Sequence, residues 1–163
     1  MDNKGAMSCS FTGHRNIPKE HRKKLSELIL RAIDYAYREG CRKFYTGGAV
    51  GFDTEVAKAL INFRISHPDI SFVLVLPCKN QSDFWNDAER DMYEFTLSVA
   101  DEAVYVSEEY TKTCMKERNS YLAECCDILI AYVSHDRSGA SQTKRLAESL
   151  GRRVYNLYNG LGE

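Results

Sequence analysis

Runs of apolar residues alternate along the chain with stretches in which apolar residues recur every three or four positions. Residues 72–76 and 128–132 are continuous apolar runs, which are typical of strands buried on both faces of a parallel sheet. Residues 19–39 place their apolar side chains on one face of a helix, and Gly40 supplies its end. The pattern predicts strands at 6–12, 43–46, 72–76, 103–106, 128–132 and 154–157. It predicts helices at 19–39, 54–65, 83–100, 116–126 and 142–150.

Strands and helices that follow one another in this way predict a three-layer, Rossmann-like, doubly wound α/β fold with a mostly parallel sheet. With 163 residues the chain has the size of one domain, and we assign residues 1–163 to it. The apolar run at residues 72–76 should form a central strand. In such a fold the loops that follow the strands meet at one edge of the sheet, where ligands bind. These loops are residues 13–15, 47–53, 77–85 and 134–141.

A glycine-rich stretch, residues 45–53, joins the second predicted strand to the second predicted helix. Glycine allows a sharp turn and a close approach of the backbone to a ligand. The free N–H groups and the positive dipole end of the helix that follows favour a phosphate or a carboxylate. The spacing of Gly47, Gly48 and Gly51 fits neither GxGxxG nor GxxxxGK[ST]. The stretch therefore predicts an anion site of another type, with a tight connection that holds no ligand as the alternative.

Other residues of these loops suit an anionic ligand that carries an aromatic ring. Arg15 can bind a phosphate through two hydrogen bonds, and Trp85, in the first turn of a helix capped by Asp83, can stack on a ring. Gly139 and Ser141 lie where another helix would begin, and they offer a second anion site. A phosphorylated ribonucleotide fits these groups. The alternatives are that Arg15 only pairs with a surface carboxylate and that Trp85 only packs against its neighbours.

Further polar residues near this edge allow both a functional and a structural role. His14 can transfer a proton or hold its loop in place. Asp53 can accept hydrogen bonds from ribose hydroxyls or cap the helix that begins beside it. Arg118 and Asn119 lie on a helix from which they project either toward the same rim or into solvent. Cys78 follows a strand, but no GxSxG elbow or other nucleophile motif accompanies it, and we interpret it as an inert thiol.

Composition narrows the class of protein further. The hydrophobic share of 44% and the charged share of 28% are ordinary for a globular protein, and no apolar run is long enough to cross a bilayer. Residues 1–7 lead into no apolar signal segment, so we expect a cytoplasmic protein. The six cysteines form no CxxC pair, which favours reduced thiols and, together with the histidine spacing, gives no support for a metal site. A net charge of −1 gives no overall attraction to nucleic acid.

Several of these segments together resemble a known family. They are Phe-Thr-Gly-His-Arg at 11–15, Gly-Gly-Ala-Val-Gly-Phe-Asp at 47–53, Leu-Pro-Cys at 76–78, Trp85, and Arg-Asn at 118–119. In this order they resemble the YpsA-like family of the SLOG superfamily, which also includes the DNA-processing protein DprA (Smf) and the LOG-type phosphoribohydrolases. The resemblance covers nearly the whole chain and implies a Rossmann-like domain that binds a nucleotide or a nucleotide-derived ligand, such as an ADP-ribose-like molecule. By this resemblance, the positions that match the ligand-binding motifs of the family are Gly13, Arg15, Gly47, Gly48, Gly51 and Asp53.

The chain departs from the LOG hydrolases in a second motif. The LOG hydrolases have a PGGxGT segment followed by glutamates. The equivalent residues of this chain, 138–145, read Ser-Gly-Ala-Ser-Gln-Thr-Lys-Arg. Members of the YpsA-like family also usually carry Gly-Gly-Thr at this place. Cleavage of an N-glycosidic bond builds positive charge on the ribose, which carboxylates stabilise and the cations Lys144 and Arg145 oppose. Glycosidic hydrolysis is therefore the second hypothesis, and the LOG motif is not preserved.

These observations lead to three hypotheses. The first is a cytoplasmic binding or sensor domain for a nucleotide or nucleotide-derived ligand, without an assigned cofactor and with a homo-oligomer as an open alternative. The second is a nucleotide-processing enzyme in which Asp53, His14 or Glu55 acts as acid or base, although no complete catalytic constellation is recognisable. The third is a DNA-binding adaptor that uses the basic run at residues 19–24, which is more typical of a solvated helix face. Nucleic acid is thus the less favoured partner, and a membrane is not expected.

Ligand contacts are expected from the residues that these arguments single out. They are Gly13, His14, Arg15, Thr46, Gly47, Gly48, Gly51, Asp53, Trp85, Arg118, Asn119, Gly139 and Ser141. The sequence assigns no catalytic residue and no metal ligand.

Overall fold

A computed structural model describes residues 6–161, in which six strands and five α-helices alternate. The strands are β1 (Met7–Gly13), β2 (Cys41–Thr46), β3 (Ser71–Leu76), β4 (Glu102–Tyr105), β5 (Ile128–Tyr132) and β6 (Arg153–Asn156). The helices are α1 (Arg22–Arg38), α2 (Phe52–Ser66), α3 (Asp87–Val99), α4 (Cys114–Glu124) and α5 (Gly139–Ser149). Short 3-10 turns at Lys19–His21 and Leu157–Leu161 precede α1 and follow β6.

All six strands pair in parallel in the order β4-β3-β2-β1-β5-β6. Right-handed crossovers place α1, α2 and α3 on one face of this sheet and α4 and α5 on the other. The winding direction reverses between β1 and β5, so the switch point lies at the carboxyl ends of these two strands. The predicted doubly wound α/β fold is confirmed. The assignment of residues 1–163 to one domain stays a prediction, because residues 1–5 and 162–163 lie outside the described range.

The sequence predicted that the strand at residues 72–76 is central. This is wrong, because the strand is second from the β4 edge. The predicted burial on both faces is confirmed, because helices cover both faces of the sheet here and β2 and β4 pair with the two edges of the strand. Its side chains alternate between two cores. Phe72, Leu74 and Leu76 belong to the large core under α1, α2 and α3, whereas Val73 and Val75 pack with Leu122 on the opposite face.

Helix α3 begins later than predicted. The sequence placed its N-cap at Asp83, but the N-cap is Asn86, whose side chain accepts from the Glu89 N–H at 2.8 Å while Glu89 accepts in return from the Asn86 N–H at 3.2 Å. Both Asp83 and Asn86 are residues that cap helices, but only Asn86 has a glutamate three positions later. Trp85 therefore lies in the loop before the helix and not in its first turn.

The other helices were predicted within a few residues of their observed bounds. Helix α1 starts at Arg22, because the preceding three residues form a 3-10 turn. Helices α2 and α4 each begin two residues earlier than predicted. Helix α5 begins three residues earlier, because a reciprocal bond between Ser138 and Ser141 caps it upstream of the predicted start. Within residues 6–161 none of these helices combines the length and apolar character that a transmembrane segment requires.

The six cysteines lie in the described range and are free thiols. Burial raises the pKa of Cys41 to about 12 and raises the pKa of Cys9 and of Cys78 as well. The nucleophilic thiolate form of these three residues is therefore suppressed near neutral pH. The interpretation of Cys78 as an inert thiol agrees with its enclosure, since its side chain is buried.

The capping box at Asn86 can be tested by replacing Asn86 with alanine. We expect Asn86→Ala to lower the free energy of unfolding by about 1 kcal/mol, because the Glu89 N–H loses its acceptor. Urea denaturation followed by circular dichroism measures the change. Asn62→Ala makes the same exchange at a solvent-exposed position away from the ends of α2. It serves as the control and should be neutral or slightly stabilising. Equal stability of both variants would show that the box does not anchor α3.

Candidate functional site

The loop after β1 and the glycine turn after β2 are in direct contact at the carboxyl edge of the sheet. The Phe52 N–H donates to the His14 carbonyl oxygen at 3.1 Å. Gly51, with a φ of +98°, faces the backbone of Arg15, and a β-carbon at Gly51 would collide with the Arg15 carbonyl group. The two loops that the sequence predicted to share one rim therefore do so.

The shape of the glycine turn depends on two residues with positive φ and on two hydrogen bonds. Gly48 and Gly51 have φ values of +69° and +98°, which residues with a β-carbon rarely adopt. The Gly48 carbonyl oxygen accepts from Gln81 Nε2 at 3.3 Å, which joins the loop after β3 to the same rim. The Ala49 carbonyl oxygen accepts from Thr54 Oγ1 at 3.3 Å. Three of the four predicted loops are thus linked around the start of α2.

A cleft of about 640 Å³ opens beside this turn, between the first turns of α2 and the face of α3. Its volume lies within the range of small-molecule sites, roughly 300–1,000 Å³. Five of the predicted ligand residues line it: Arg15, Gly48, Gly51, Asp53 and Trp85. In the described part of the chain, the N–H groups of Asp53 and Thr54 have no backbone acceptor, as is usual for the first turn of a helix. The cleft therefore combines free backbone donors with a cation and an aromatic ring.

Asp53 is 7% exposed, and its two carboxylate oxygens have different surroundings. Oδ2 accepts from the Ala49 N–H at 3.1 Å, so the side chain reaches back to the glycine turn. Oδ1 is enclosed and has no hydrogen-bond partner in residues 6–161, and Thr46 Oγ1 is in the same situation. Burial raises the pKa of Asp53 to about 6, although the positive charge of Arg118 and the Ala49 N–H both act to lower it. The predicted capping of the helix by Asp53 is wrong, because α2 has Gly51 as its N-cap without a side-chain bond, and Asp53 bonds the turn before the helix instead.

Arg118 reaches the glycine turn from α4, on the opposite face of the sheet. Its side chain is buried, with Nη1 donating to the Gly47 carbonyl oxygen at 2.6 Å and Nε donating to Asn119 Oδ1 at 2.8 Å. A β-carbon at Gly47 would lie 2.7 Å from Arg118 Nη1 and 2.9 Å from Asp53 Oδ2. Gly47 is therefore required for close approach, since its φ is not positive. The sequence left open whether Arg118 projects toward the rim or into solvent. In the structure it projects toward the rim.

His14 joins the loop after β1 to the loop after β5 at the switch point. Its Nε2 accepts from the Ser134 N–H at 2.7 Å and lies 3.0 Å from the Ser134 hydroxyl, and its ring stacks on His135 at 4.6 Å. Because an acceptor nitrogen carries no proton, Nδ1 carries it in this arrangement. Burial, and after it the neighbouring His135, lower the pKa of His14. The imidazole is thus held neutral in a structural contact.

The predicted residues of the helix that begins at Gly139 lie apart from the cleft. Ser141 is 2% exposed, and its hydroxyl donates to the Ser138 carbonyl oxygen at 2.7 Å while it accepts from the Ser138 N–H at 3.0 Å. Gly139 is exposed, and a β-carbon there would lie 3.2 Å from Asn119 Nδ2. This helix start therefore adjoins Asn119, behind the glycine turn. Gly13 has a packing function, because a β-carbon there would collide with the Phe52 ring.

The sequence analysis missed the wall that α3 contributes to the cleft. Ala88, Met92 and Thr96 line the cleft at intervals of four residues, so they form one stripe along the helix. Tyr93 lies beside them, buried, with a hydroxyl that has no hydrogen-bond partner in the described chain, and its ring meets Trp85 edge to face at 5.2 Å. The four-residue spacing was visible in the sequence, but it required the correct start of α3. In residues 6–161 no group of three metal-ligating side chains is gathered in this region or elsewhere.

The chain is similar in sequence to known proteins. A model described as the YspA SLOG family matches residues 11–156. The uncharacterised SPbeta prophage-derived protein YoqJ of Bacillus subtilis (strain 168) is 26% identical over 150 residues, which cover 83% of this chain and 88% of that protein.

Two solved structures share the fold. DNA processing protein A (DprA) from Streptococcus pneumoniae superposes with a TM-score of 0.66 at 19% identity, over 95% of this chain and 51% of that one. This chain thus spans about half the length of that protein. DprA from Helicobacter pylori, whose structure concerns single-stranded DNA binding, gives 0.66 at 14% identity, over 97% and 74% of the two chains. At these identities the likeness concerns the fold alone.

The surroundings of Asp53 predict an unusual titration. We expect its carboxyl group to titrate near pH 6, because burial outweighs the charge of Arg118. A folded-state pKa above the ordinary value of about 3.9 means that this group favours folding below pH 4, and that the contribution, about 3 kcal/mol, is lost as the pH rises through 6. Carbon-13 NMR of the carboxyl group measures the pKa.

The same measurement on two variants tests the cause of this shift. Arg118→Leu removes the positive charge and should raise the pKa of Asp53 further, whereas Arg118→Lys keeps a charge and should change it less. A pKa near 4 in the wild-type protein would contradict the buried arrangement.

Proposed function

The chain belongs to the YspA SLOG family, since the family model covers most of its length, and on this basis we propose that it binds a nucleotide or a nucleotide-derived ligand as a binding or sensor protein of the cytoplasm. The family that the sequence analysis named by resemblance is thereby confirmed. The ligand lies in the 640 Å³ cleft, with a phosphate at the start of α2 and the base against α3. The six free thiols are compatible with the reducing conditions of the cytoplasm.

The observation that carries the proposal is that a helix start and a cation line the same cleft. The N–H groups of Asp53 and Thr54 have no acceptor in the described backbone, and the dipole of the 15-residue helix α2 favours an anion at this end. Arg15 lines the cleft, is exposed, and takes part in no ion pair within residues 6–161. Backbone donors and a guanidinium on one side of a pocket are complementary to a phosphate.

The opposite wall of the cleft suits a nucleobase. Trp85, Met92 and Tyr93 line it, and the edge-to-face contact of Trp85 with Tyr93 holds the indole in place. Aromatic and thioether groups pack well on a planar ring. The Tyr93 hydroxyl is enclosed, so this residue contributes its ring and not a polar contact. Glu55 also lines the cleft and is half-buried, so its carboxylate is available to accept from ribose hydroxyls.

The contacts of the acid and base candidates favour binding over catalysis. One oxygen of Asp53 is bonded to the Ala49 N–H and the other is enclosed, so neither is presented to a substrate. The acceptor nitrogen of His14 is occupied by Ser134. Of the three residues considered for acid/base work, only Glu55 remains accessible to a ligand, and it lies 3.6 Å from Lys58. A single carboxylate paired with a lysine is a weak basis for glycosidic cleavage.

Thermal unfolding in the presence of nucleotides tests the proposal. A nucleotide at a hundred times its dissociation constant should stabilise the protein by about 2.7 kcal/mol, seen as an upward shift in Tm. We expect Arg15→Gln to reduce this shift strongly, because the phosphate loses its guanidinium. Arg31→Gln makes the same exchange at an exposed position of α1 that does not line the cleft. It is the matched control and should leave the shift in Tm intact. No shift with any nucleotide or ADP-ribose derivative would contradict the proposal.

Variants of the glycine turn are less suitable for this test. A β-carbon at Gly48 would collide with the Leu76 side chain, and the positive φ adds strain, so such a variant loses stability as well as ligand. Chromatography of the same nucleotide mixtures for free base separates binding from hydrolysis. Sustained release of base that is lost in Glu55→Gln would make the protein an enzyme and replace the binding role.

Single-stranded DNA is a second candidate ligand, because a group of cations adjoins the mouth of the cleft. The cations are exposed and form no ion pair within the described residues: Arg15, Lys19, Arg22, Lys23 and Lys24. Arg15 and Arg22 line the cleft itself. The fold is shared with a Helicobacter pylori protein whose structure concerns single-stranded DNA binding. This surface supports contact with a phosphate backbone, whereas the net charge of −1 does not.

A gel-retardation assay at several salt concentrations decides between the two candidates. If the five cations contact phosphates, affinity for single-stranded DNA should fall with salt at a logarithmic slope of about −3.5, and Lys23→Gln with Lys24→Gln should flatten that slope. The control pair is Lys112→Gln with Lys116→Gln, two exposed lysines near the start of α4. Absence of retardation at low salt would remove the DNA candidate and leave the nucleotide proposal standing.

A further inference from the structure

The first turn of α2 carries both the candidate phosphate site and an enclosed carboxyl group. The N–H groups of Asp53 and Thr54, which have no backbone acceptor in the described chain, are the donors proposed for the phosphate. The carboxyl group of Asp53 belongs to the same residue as one of these donors, and it is buried. A bound phosphate and an ionised Asp53 would therefore lie about one side chain apart and would compete for the positive end of the same helix dipole.

Hydrogen bonds hold the ionised form of this carboxyl group only weakly. Asp53 Oδ2 accepts from one donor, the Ala49 N–H at 3.1 Å, and Oδ1 accepts from none in residues 6–161. A carboxylate that accepts roughly two or three backbone N–H groups is strongly held in its ionised form, whereas a single donor has a smaller effect. The negative charge of Asp53 is therefore easily displaced by a second negative charge.

The cation behind the turn compensates Asp53 incompletely. A β-carbon at Gly47 would lie 2.7 Å from Arg118 Nη1 and 2.9 Å from Asp53 Oδ2, so both groups approach the same point. Arg118 nevertheless donates to the Gly47 carbonyl oxygen and to Asn119 Oδ1, and it forms no ion pair with Asp53 in the part of the chain that the structure describes. Arg118 is also not among the residues that line the cleft. Its single charge cannot balance both the carboxylate and a phosphate.

The other charged groups around the cleft are in contact with solvent. Those that line it are three cations and two carboxylates: Arg15, Arg22, Lys58, Glu55 and Glu89. Glu55 lies 3.6 Å from Lys58, so these two charges offset each other. Solvent and salt screen exposed charges, whereas a buried charge is screened much less. The repulsion from a bound phosphate therefore falls mainly on Asp53.

The surroundings of Asp53 can also hold its neutral form. Thr46 Oγ1 is enclosed, has no hydrogen-bond partner within residues 6–161, and lies near the same carboxyl group. A hydroxyl group accepts as well as donates a hydrogen bond. A proton on Asp53 Oδ1 would thus find an acceptor at Thr46, while Oδ2 keeps its bond to the Ala49 N–H.

We propose that nucleotide binding is coupled to the uptake of one proton: Asp53 takes a proton from the solvent onto Oδ1 when a phosphate occupies the start of α2, and it releases this proton when the phosphate leaves. The inference rests on the proposed nucleotide-binding function and adds a regulation of the same site by pH. Asp53 acts as a positioning residue, because its contact is with the glycine turn and not with the ligand. Affinity for an anionic ligand then rises as the pH falls through the range in which Asp53 titrates.

Isothermal titration calorimetry in buffers of different ionisation enthalpy measures this proton uptake. ADP-ribose is the main probe, because its phosphates are diesters that do not titrate near neutral pH. Burial raises the pKa of Asp53 to about 6, so we expect an uptake of about half a proton per ADP-ribose at pH 7 and almost none at pH 5. The affinity for ADP-ribose should be about tenfold higher at pH 5.5 than at pH 8.

The variant Asp53→Asn distinguishes this coupling from a direct contact with the ligand. Asparagine keeps an acceptor for the Ala49 N–H and is neutral at every pH, so Asp53→Asn should take up no proton and should bind ADP-ribose about tenfold tighter than the wild type at pH 8. A role in accepting from ribose hydroxyls predicts weaker binding instead. Asp87→Asn, the same exchange in the first turn of α3 at an exposed residue that does not line the cleft, is the matched control.

The outcomes separate this inference from the function on which it rests. If ADP-ribose binds without proton uptake at pH 7, the coupling is wrong and the nucleotide site stands. If Asp53→Asn, folded as judged by circular dichroism, takes up the same amount of proton as the wild type, another group such as His14 is responsible and the inference is wrong. If ADP-ribose does not bind, AMP replaces it, and the difference between wild type and variant cancels the titration of its own phosphate. If neither probe binds, the proposed function fails together with the inference.

Discussion

The arrangement of this edge of the sheet depends on the absence of β-carbons where three backbone segments meet. A side chain at Gly13 would collide with the Phe52 ring, and one at Gly51 would collide with the backbone of Arg15. Gly47 leaves the space in which Arg118 and Asp53 approach the turn. These contacts bring the start of α2 close to the loop after β1, so that backbone donors and the guanidinium of Arg15 line one cavity. The glycines thus fix the position of the candidate anion site by packing, in addition to the conformational freedom that they give the turn.

Behind the turn, the attraction between two charged side chains opposes the cost of burying them. Arg118 and Asp53 are both buried and lie near each other, and neither makes a full set of hydrogen bonds within the described chain. The attraction between the two charges offsets part of the desolvation cost, which is why the pKa of Asp53 rises only to about 6. The carboxylate supports the turn through the Ala49 N–H, while the ligand surface is left to the backbone and to Arg15.

The periodic pattern of the sequence was sufficient for the fold, because burial on two faces and amphipathic helices are local properties of the chain. It identified all six strands and all five helices of the described residues, and the rule that ligands bind at strand ends identified the loops. It did not identify the partner of each polar group. That His14 accepts from Ser134 depends on the distance between two segments far apart in sequence. The capping box that uses Ser141 is local, but a serine three residues after the cap is not the usual glutamate or glutamine of that motif. The start of α3 was misplaced because two residues suited to capping compete, and the wall of the cleft was missed with it.

The bond between Arg118 and the Gly47 carbonyl crosses the sheet, and this gives the α4–α5 layer a direct mechanical link to the turn. A hydrogen bond from a charged donor contributes roughly 1.5–3 kcal/mol, and a buried donor that loses its acceptor also bears a desolvation cost. Any shift of the Gly47 carbonyl must therefore be followed by Arg118 and by the helix that carries it. Because α4 packs against α5, a displacement of the Gly47 carbonyl that moved α4 would bear on both helices of that layer.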